Sequence, residues 1–147
     1  MLIYVDGDAC PVVNEVIETA AQFSLKVVIV KSYAHYSITA YPEHVKEVYL
    51  DRSREAVDYR ILSLMDKGDI VVTQDYGLAA LVLQKSGHAI SPRGFQYNQD
   101  NIERLLASRH QSAQIRRQGG RTKGPKPFSN TDKTQLIMQF TKLIQSL

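Results

Sequence analysis

Three carboxylates stand where an α/β protein would bring them to one edge of its sheet. Asp6 and Asp8 follow the apolar run 2–5, and Asp75 follows the apolar run 70–73. Ligands of α/β proteins bind outside the carboxyl ends of the parallel strands. Mg²⁺ and Mn²⁺ prefer carboxylate oxygens, completed by water and substrate phosphate. The spacing therefore predicts a divalent-cation site assembled from separate parts of the chain.

The segment between these two runs contributes two more acids. Glu55 and Asp58 are three residues apart, so they share one face at the start of a helix predicted over 54–65. Asp58 also lines up with Ile61 and Met65, and a carboxylate on an inward face needs a partner. Such a cluster could hold one cation, or two cations ~3.5–4 Å apart, which would activate water for in-line hydrolysis of a phosphodiester.

Each acid also has a simpler structural explanation. Asp8 is a good N-cap for the helix predicted over 11–23, which Pro11 would begin. Asp75 is also suited to a turn, and the two middle acids would stabilise the positive end of their own helix. We favour the cation site, because the simpler explanations require four unrelated acids to converge by chance. Asp6 is the residue expected to contact the metal directly.

The elements that must position these acids alternate along the chain. Strands are predicted at 2–5, 27–30, 45–50, 70–73 and 88–90, and helices at 11–23, 54–65, 77–85, 98–117 and from about 130, capped by Asn130 or Thr131. This alternation predicts one domain with a parallel sheet and helices on both faces. Segment 32–43 holds three tyrosines without a clear period and is predicted to be a loop.

The charge is divided unevenly along the 147 residues. Residues 1–103 carry 9 Lys and Arg against 14 Asp and Glu, whereas residues 104–147 carry 9 against 1. The basic third would either contact a polyanion or fold back over the acidic body as a clasp. The candidate phosphate ligands are Arg116, Arg117, Arg121, Lys123 and Lys126, followed by Arg93, which could instead pair with the acids.

The remaining composition indicates a cytoplasmic protein. Cys10 is the single cysteine, which fits a reducing compartment, and a packed thiol is favoured over a nucleophile. The sequence begins directly with a predicted strand, and no apolar run approaches the ~20 residues of a membrane span. No membrane association is expected, and assembly into a homo-oligomer stays open.

Five ordered motifs resemble the bacterial YaiI/YqxD family, which is grouped with the PIN-like nucleases. They are D-x-D-A-C-P, S-R-E-A-V-D-Y-R-I, G-D-I-V-V-T-Q-D-Y-G-L-A, S-P-R-G and T-K-G-P-K-P-F-S, and they span nearly the whole chain. The resemblance implies a PIN-like three-layer α/β sandwich over 1–147, with a basic C-terminal extension from about 104. It also implies a metal-dependent ribonuclease site, with Asp6, Asp58 and Asp75 catalytic and Asp8 as an extra acid. The chain departs from the pattern of the family that it resembles at Glu55, where the pattern commonly has Asp, and at Lys123, where it commonly has Gly.

The expected function is therefore Mg²⁺- or Mn²⁺-dependent cleavage of RNA. One alternative is a PIN-like module that binds nucleic acid without cutting it. Another is a phosphatase of the haloacid dehalogenase type, with Asp6 as nucleophile and Asp8 as acid. That class also needs a lysine at a later strand end and a paired acidic motif, which Lys85 and Gly68-Asp69 match poorly.

Overall fold

The computed structural model describes residues 1–36, 38–51, 56–122 and 126–147. The strands are β1 (Leu2–Asp6), β2 (Lys26–Ser32), β3 (Val45–Leu50), β4 (Ile70–Val72), β5 (His88–Ile90) and β6 (Gln96–Tyr97). The helices are α1 (Val13–Gln22), α2 (Val57–Leu64), α3 (Tyr76–Gln84), α4 (Gln99–Arg117) and α5 (Asn130–Gln145), and a 3-10 turn covers Tyr33–His35. In this part of the chain, no helix combines the length and the apolar character needed to cross a bilayer.

The strands form one mixed sheet in the order β3-β2-β1-β4-β5-β6. The first five are parallel, and β6 runs antiparallel to β5. The chain leaves β1 toward β2 on one side and later returns to its other side as β4. A crevice therefore opens between the carboxyl ends of β1 and β4, which is where α/β folds place ligands.

Helices cover both faces of the sheet, which confirms the predicted three-layer architecture. Alternating side chains of β1 point to opposite faces, so Ile3 and Val5 join one core and Tyr4 joins the other. The first core includes buried side chains from α1 and α5, and the second includes residues of α2, α3 and α4. Parallel strands covered on both faces explain the continuous Val and Ile runs of the sequence.

Three predicted helix starts are wrong. Helix α2 begins at Val57, with Ala56 as its N-cap residue, rather than at residue 54, so the three-residue spacing of Glu55 and Asp58 is not a helical spacing. Helix α1 begins at Val13 rather than at Pro11, and its N-cap residue, Val12, makes no side-chain capping bond. Helix α5 is capped by Ser129 rather than by Asn130 or Thr131, because Ser129 forms a reciprocal capping box with Asp132. Strand β6 was not predicted, since two residues carry no periodic signal.

Candidate functional site

Asp6 ends β1 at the crevice, and its carboxylate is largely buried there. Its Oδ2 accepts a hydrogen bond from the Thr73 hydroxyl at 3.1 Å. Burial raises the pKa of Asp6 to about 6, against the lowering effect of the Thr73 bond. The negative charges of Asp8, Asp75 and Asp58 raise it further. The structure therefore brings these four predicted acids into one electrostatic neighbourhood.

Asp8 does not cap α1, which corrects one structural explanation of this acid. Its Oδ1 instead accepts a hydrogen bond from the backbone N–H of Ser32 at 2.9 Å. The loop after β1 lies tightly against β2, since the N–H of Gly7 donates to the Val30 carbonyl at 2.9 Å. A Cβ at Gly7 would lie 2.8 Å from Ile29 Cγ2, so glycine permits this approach. Asp8 is thereby tied to the end of the neighbouring strand.

Asp75 is the N-cap of α3. Its Oδ1 accepts hydrogen bonds from the backbone N–H groups of Gly77 at 2.9 Å and Leu78 at 3.2 Å. The same oxygen lies 3.3 Å from Nη1 of Arg109. The backbone N–H of Asp75 donates to the Thr73 hydroxyl oxygen at 3.0 Å. One threonine side chain therefore bonds to both Asp6 and Asp75.

Asp58 lies in the first turn of α2 and is half-buried. Its Oδ1 accepts a hydrogen bond from the backbone N–H of Tyr59 at 2.9 Å. The helix buries Ile61, and Met65 directly after it is also buried, as the apolar spacing predicts. Glu55, the fifth predicted ligand, lies outside the described residues.

Sequence reasoning missed Thr73 and Arg109. Thr73 stands two residues before Asp75, so the sequence already indicates that these two residues are close. Its bond to Asp6 depends on the pairing of β1 with β4, which the sequence does not give. Arg109 is 34 residues away from Asp75 and reaches it from α4. The packing of α3 against α4 brings Arg109 to Asp75, and no local sequence pattern predicts this contact.

Arg93 has partners within the protein. Its Nη1 lies 2.8 Å from Asp132 Oδ2, its Nη2 donates to the Lys126 carbonyl, and its guanidinium lies 5.4 Å from the centre of the Phe128 ring. Of the two predicted roles, the structure shows an ion pair. The acid is Asp132, the third residue of α5, which completes the capping box with Ser129, and not one of the acids around Asp6. Arg93 therefore fastens the turn after β5 to the start of α5.

We call residues 116–126, which begin with the last two residues of α4, the basic loop, and several of its cations are exposed to solvent. Arg116 donates to the Thr122 hydroxyl at 3.0 Å, and Lys133 of α5 lies 3.7 Å from Glu15 of α1. The basic third thus contacts the acidic body at Glu15 and, through Arg109, at Asp75. The exposed cations of the loop are Arg116, Arg117, Arg121 and Lys126, whereas Lys123 lies outside the described residues.

Cys10 packs against the core that contains α1 and α5. Burial raises the pKa of its thiol to about 12, and the charges of Asp6 and Glu15 act in the same direction. A thiol with such a pKa is protonated at neutral pH and is a poor nucleophile. The structure therefore supports the packed thiol that the sequence favours over a nucleophile.

Within the described ranges, no three His, Cys, Asp or Glu side chains are close enough to form a ready-made metal cage. The acids instead surround Asp6 at charge-interaction range, with one oxygen each of Asp8 and Asp75 engaged by backbone N–H groups. The donor set consists of hard carboxylate and hydroxyl oxygens at a sheet edge.

Comparison with known proteins places the chain in a family. The model of the family described as "Uncharacterized BCR, YaiI/YqxD family" matches residues 4–146. The UPF0178 protein of Enterococcus faecalis is 50% identical over 145 residues, covering 99% of this chain and 98% of its own. A UPF0178 protein of Staphylococcus saprophyticus is 48% identical over 142 residues, covering 97% and 92%.

Among solved structures, a variant of Rae1 (YacP) from Bacillus subtilis is similar to this chain. It covers 99% of both chains with a TM-score of 0.46 and 14% sequence identity. The match to the family model and the two relatives settle the family without it. This chain belongs to the YaiI/YqxD family.

Proposed function

We propose that this protein is a nuclease that hydrolyses RNA phosphodiester bonds with Mg²⁺ or Mn²⁺. The observation that carries the proposal is the largely buried carboxylate of Asp6, which bonds to Thr73 and is influenced by the charges of three other acids at the β1/β4 crevice. A carboxylate in such surroundings must either take up a proton or gain a cation. A perturbed carboxylate in the ligand-binding crevice of an α/β fold is a candidate for function.

The donor set fits a hydrated hard cation. Mg²⁺ keeps several waters and is commonly bound by one or two carboxylates together with substrate phosphates, so it does not require a cage of protein ligands. Asp6 would be the direct ligand, and Asp8, Asp58 and Asp75 would complete the negative site through water. Glu55 stays a predicted ligand on the family resemblance. A divalent cation supplies charge for the scissile phosphate and lowers the pKa of an attacking water.

The surrounding residues orient this chemistry. Thr73 fixes the Asp6 carboxylate and the backbone of Asp75 with one hydroxyl. Arg109 holds Asp75 on one side, and its side chain is 59% exposed, so it can turn from the carboxylate to an incoming phosphate. The exposed arginines of the basic loop would add sequence-independent contacts to the RNA backbone.

The phosphatase alternative requires a lysine near Asp6, and its candidate, Lys85, bonds to the end of α2 instead. Lys85 Nζ donates to the Leu62 and Met65 carbonyls at 2.6 and 2.9 Å, so it caps the end of α2. Asp69 accepts hydrogen bonds from the backbone N–H groups of Leu2 and Asp66. Neither residue reaches Asp6 through these contacts. The module that binds RNA without cutting it is the alternative that the experiment must separate.

The test is cleavage of end-labelled single-stranded RNA with Mn²⁺ or Mg²⁺. Asp6→Asn should abolish cleavage while the variant still shifts RNA in a gel. Asp100→Asn is the matched control, because Asp100 is an exposed acid in the first turn of α4. Cleavage that persists in Asp6→Asn, or RNA binding by the wild type without any metal-dependent cleavage, would overturn the proposal and favour the binding module.

A further inference from the structure

Three tyrosines form an exposed aromatic cluster beside the acids. The rings of Tyr33 and Tyr49 stack with centroids 5.6 Å apart and planes at 16°, and the Tyr36 ring lies 5.2 Å from Tyr49 at 49°. Tyr33 and Tyr36 are 61% and 60% exposed. We call Tyr33, Tyr36 and Tyr49 the tyrosine platform. Aromatic rings that pack on one another and stay exposed to solvent form a candidate binding surface.

A buried cation holds the platform in place. Lys31 is 6% exposed, and its Nζ lies 3.2 Å from Glu47 Oε2 and 5.4 Å from the centre of the Tyr49 ring. The Tyr49 hydroxyl donates to the same Glu47 oxygen at 2.5 Å. The amine also lies 5.7 Å from the centre of the Tyr41 ring. Tyr49 is therefore fixed by a charge pair, a cation–π contact and a hydrogen bond.

The platform and the acids lie on the same edge of the sheet. Tyr49 pairs with Lys31 near the carboxyl ends of β3 and β2. Ser32, whose N–H binds Asp8, directly precedes Tyr33. Strand β3 is two positions from β1 in the sheet, which corresponds to about 10 Å. Asp8 connects the two groups, because it stands two residues after Asp6 and binds the end of β2 that leads into Tyr33.

We propose that the tyrosine platform stacks unpaired bases of single-stranded RNA beside the acid site. This inference rests on the proposed function for the identity of the polymer. Aromatic rings bind bases of any sequence, because every base presents a π-face. A duplex hides those faces in its own stack, so the platform selects single-stranded segments. The link from Asp8 through the Ser32 N–H to Tyr33 favours RNA over a protein partner, because a strand bound at the acids passes this edge of the sheet.

The test measures binding separately from cleavage. All variants carry Asp6→Asn and are assayed in EDTA by fluorescence anisotropy, so neither metal nor turnover enters the result. The probes are a labelled single-stranded uridine oligomer and an abasic oligomer of equal length and charge. Tyr33→Ala and Tyr36→Ala should weaken binding of the uridine oligomer by roughly five- to 100-fold and leave the abasic oligomer unchanged. Tyr33→Phe should restore the affinity, since the ring alone is needed.

Tyr59→Ala is the matched control, because Tyr59 is 70% exposed on α2 and lines a hollow with Leu62 of α2 and Leu81 of α3, none of which belongs to the platform. Equal loss of both oligomers in Tyr33→Ala would show a general structural effect and overturn the proposal. Unchanged binding of the uridine oligomer would also overturn it and leave the platform as a contact for another protein. Failure of the nuclease proposal gives a different result: base-dependent binding that follows Tyr33 and Tyr36, with no cleavage by the wild type under Mn²⁺.

Discussion

Thr73 donates its hydroxyl hydrogen to Asp6 across the β1/β4 crevice at 3.1 Å, and it is 1% exposed. The same hydroxyl oxygen accepts the N–H of Asp75. This single side chain therefore sets the relative position of two predicted metal ligands. The bond also lowers the pKa of Asp6, so it favours the charged form that a cation requires.

Thr73→Val keeps the side-chain shape and removes both bonds. We expect a loss of about 1–3 kcal/mol in the free energy of unfolding, because the Asp75 N–H is left without its acceptor. Cleavage should fall with it, whereas Thr73→Ser should retain most of both properties. Urea unfolding measures the first effect and initial cleavage rates the second. A Thr73→Val protein with wild-type stability and rate would show that the hydroxyl positions nothing.

Asp6→Asn should stabilise the metal-free protein at neutral pH. The pKa of Asp6 is raised to about 6 in the folded state, so its contribution to stability is present below about pH 4 and is lost as the pH rises through 6. The difference from the unfolded pKa corresponds to about 3 kcal/mol at pH 7. Urea unfolding in EDTA at pH 4 to 8 should show wild-type stability falling over this range and a flatter profile for Asp6→Asn.

Added Mg²⁺ or Mn²⁺ should make the wild type more stable than Asp6→Asn at neutral pH. A cation that binds only the folded wild type raises its unfolding free energy with concentration. Asp6→Asn should gain little, and Asp100→Asn should behave as the wild type does. A metal-induced gain that is equal in Asp6→Asn and wild type would place the bound cation elsewhere.

Arg109→Ala should separate catalysis from stability. The Arg109–Asp75 pair is largely exposed, so its loss should change the free energy of unfolding by less than about 1 kcal/mol. If the guanidinium contacts the scissile phosphate, cleavage should fall by about ten-fold or more, and Arg109→Lys should recover only part of it. Steady-state cleavage and urea unfolding of the same preparations check this. An unchanged rate would reduce Arg109 to a surface ion pair.

The basic loop is tested by neutralising its charges and not by truncation, because removing the last third would also remove α5 from the core. Replacing Arg116, Arg117 and Arg121 by Gln should lower the slope of log affinity against log salt by about 0.7 for each of these arginines that binds a phosphate. Binding of the uridine oligomer across a range of salt concentrations measures the slope. A slope equal to that of the wild type would leave these arginines as solvated charges.

Cys10 should react slowly in the folded protein. Burial raises the pKa of its thiol to about 12, so the thiolate fraction at pH 8 is roughly 1,000-fold lower than in the unfolded chain. A chromogenic thiol reagent should therefore label the native protein far more slowly than the urea-unfolded one. Cys10→Ala should keep the RNA-cleavage rate. Rapid native labelling together with loss of cleavage would make the thiol part of the site.

Local patterns predicted the strands well and the roles of individual side chains less well. Strand β3 was predicted at its observed bounds from its alternating pattern, and Asp6 was placed at the end of β1 from the continuous apolar run before it; both patterns are local signals. The hydrogen-bond partner of Asp8 could not be predicted from the sequence, because a carboxylate near a helix start can bind that helix or, as here, the N–H of Ser32 on a neighbouring strand. The approach of Arg109 to Asp75 likewise depends on helix packing.

Helices α1 and α5 lie side by side although more than 100 residues separate them in the sequence, and together they complete one of the two cores. During synthesis the first strands and α1 emerge long before Leu136 and Phe140 are made. That face of the sheet consequently keeps its apolar side chains open until α5 has left the ribosome. A nascent chain stopped before α5 would expose the surface that quality-control chaperones and proteases recognise, so this half of the molecule can close only late in translation.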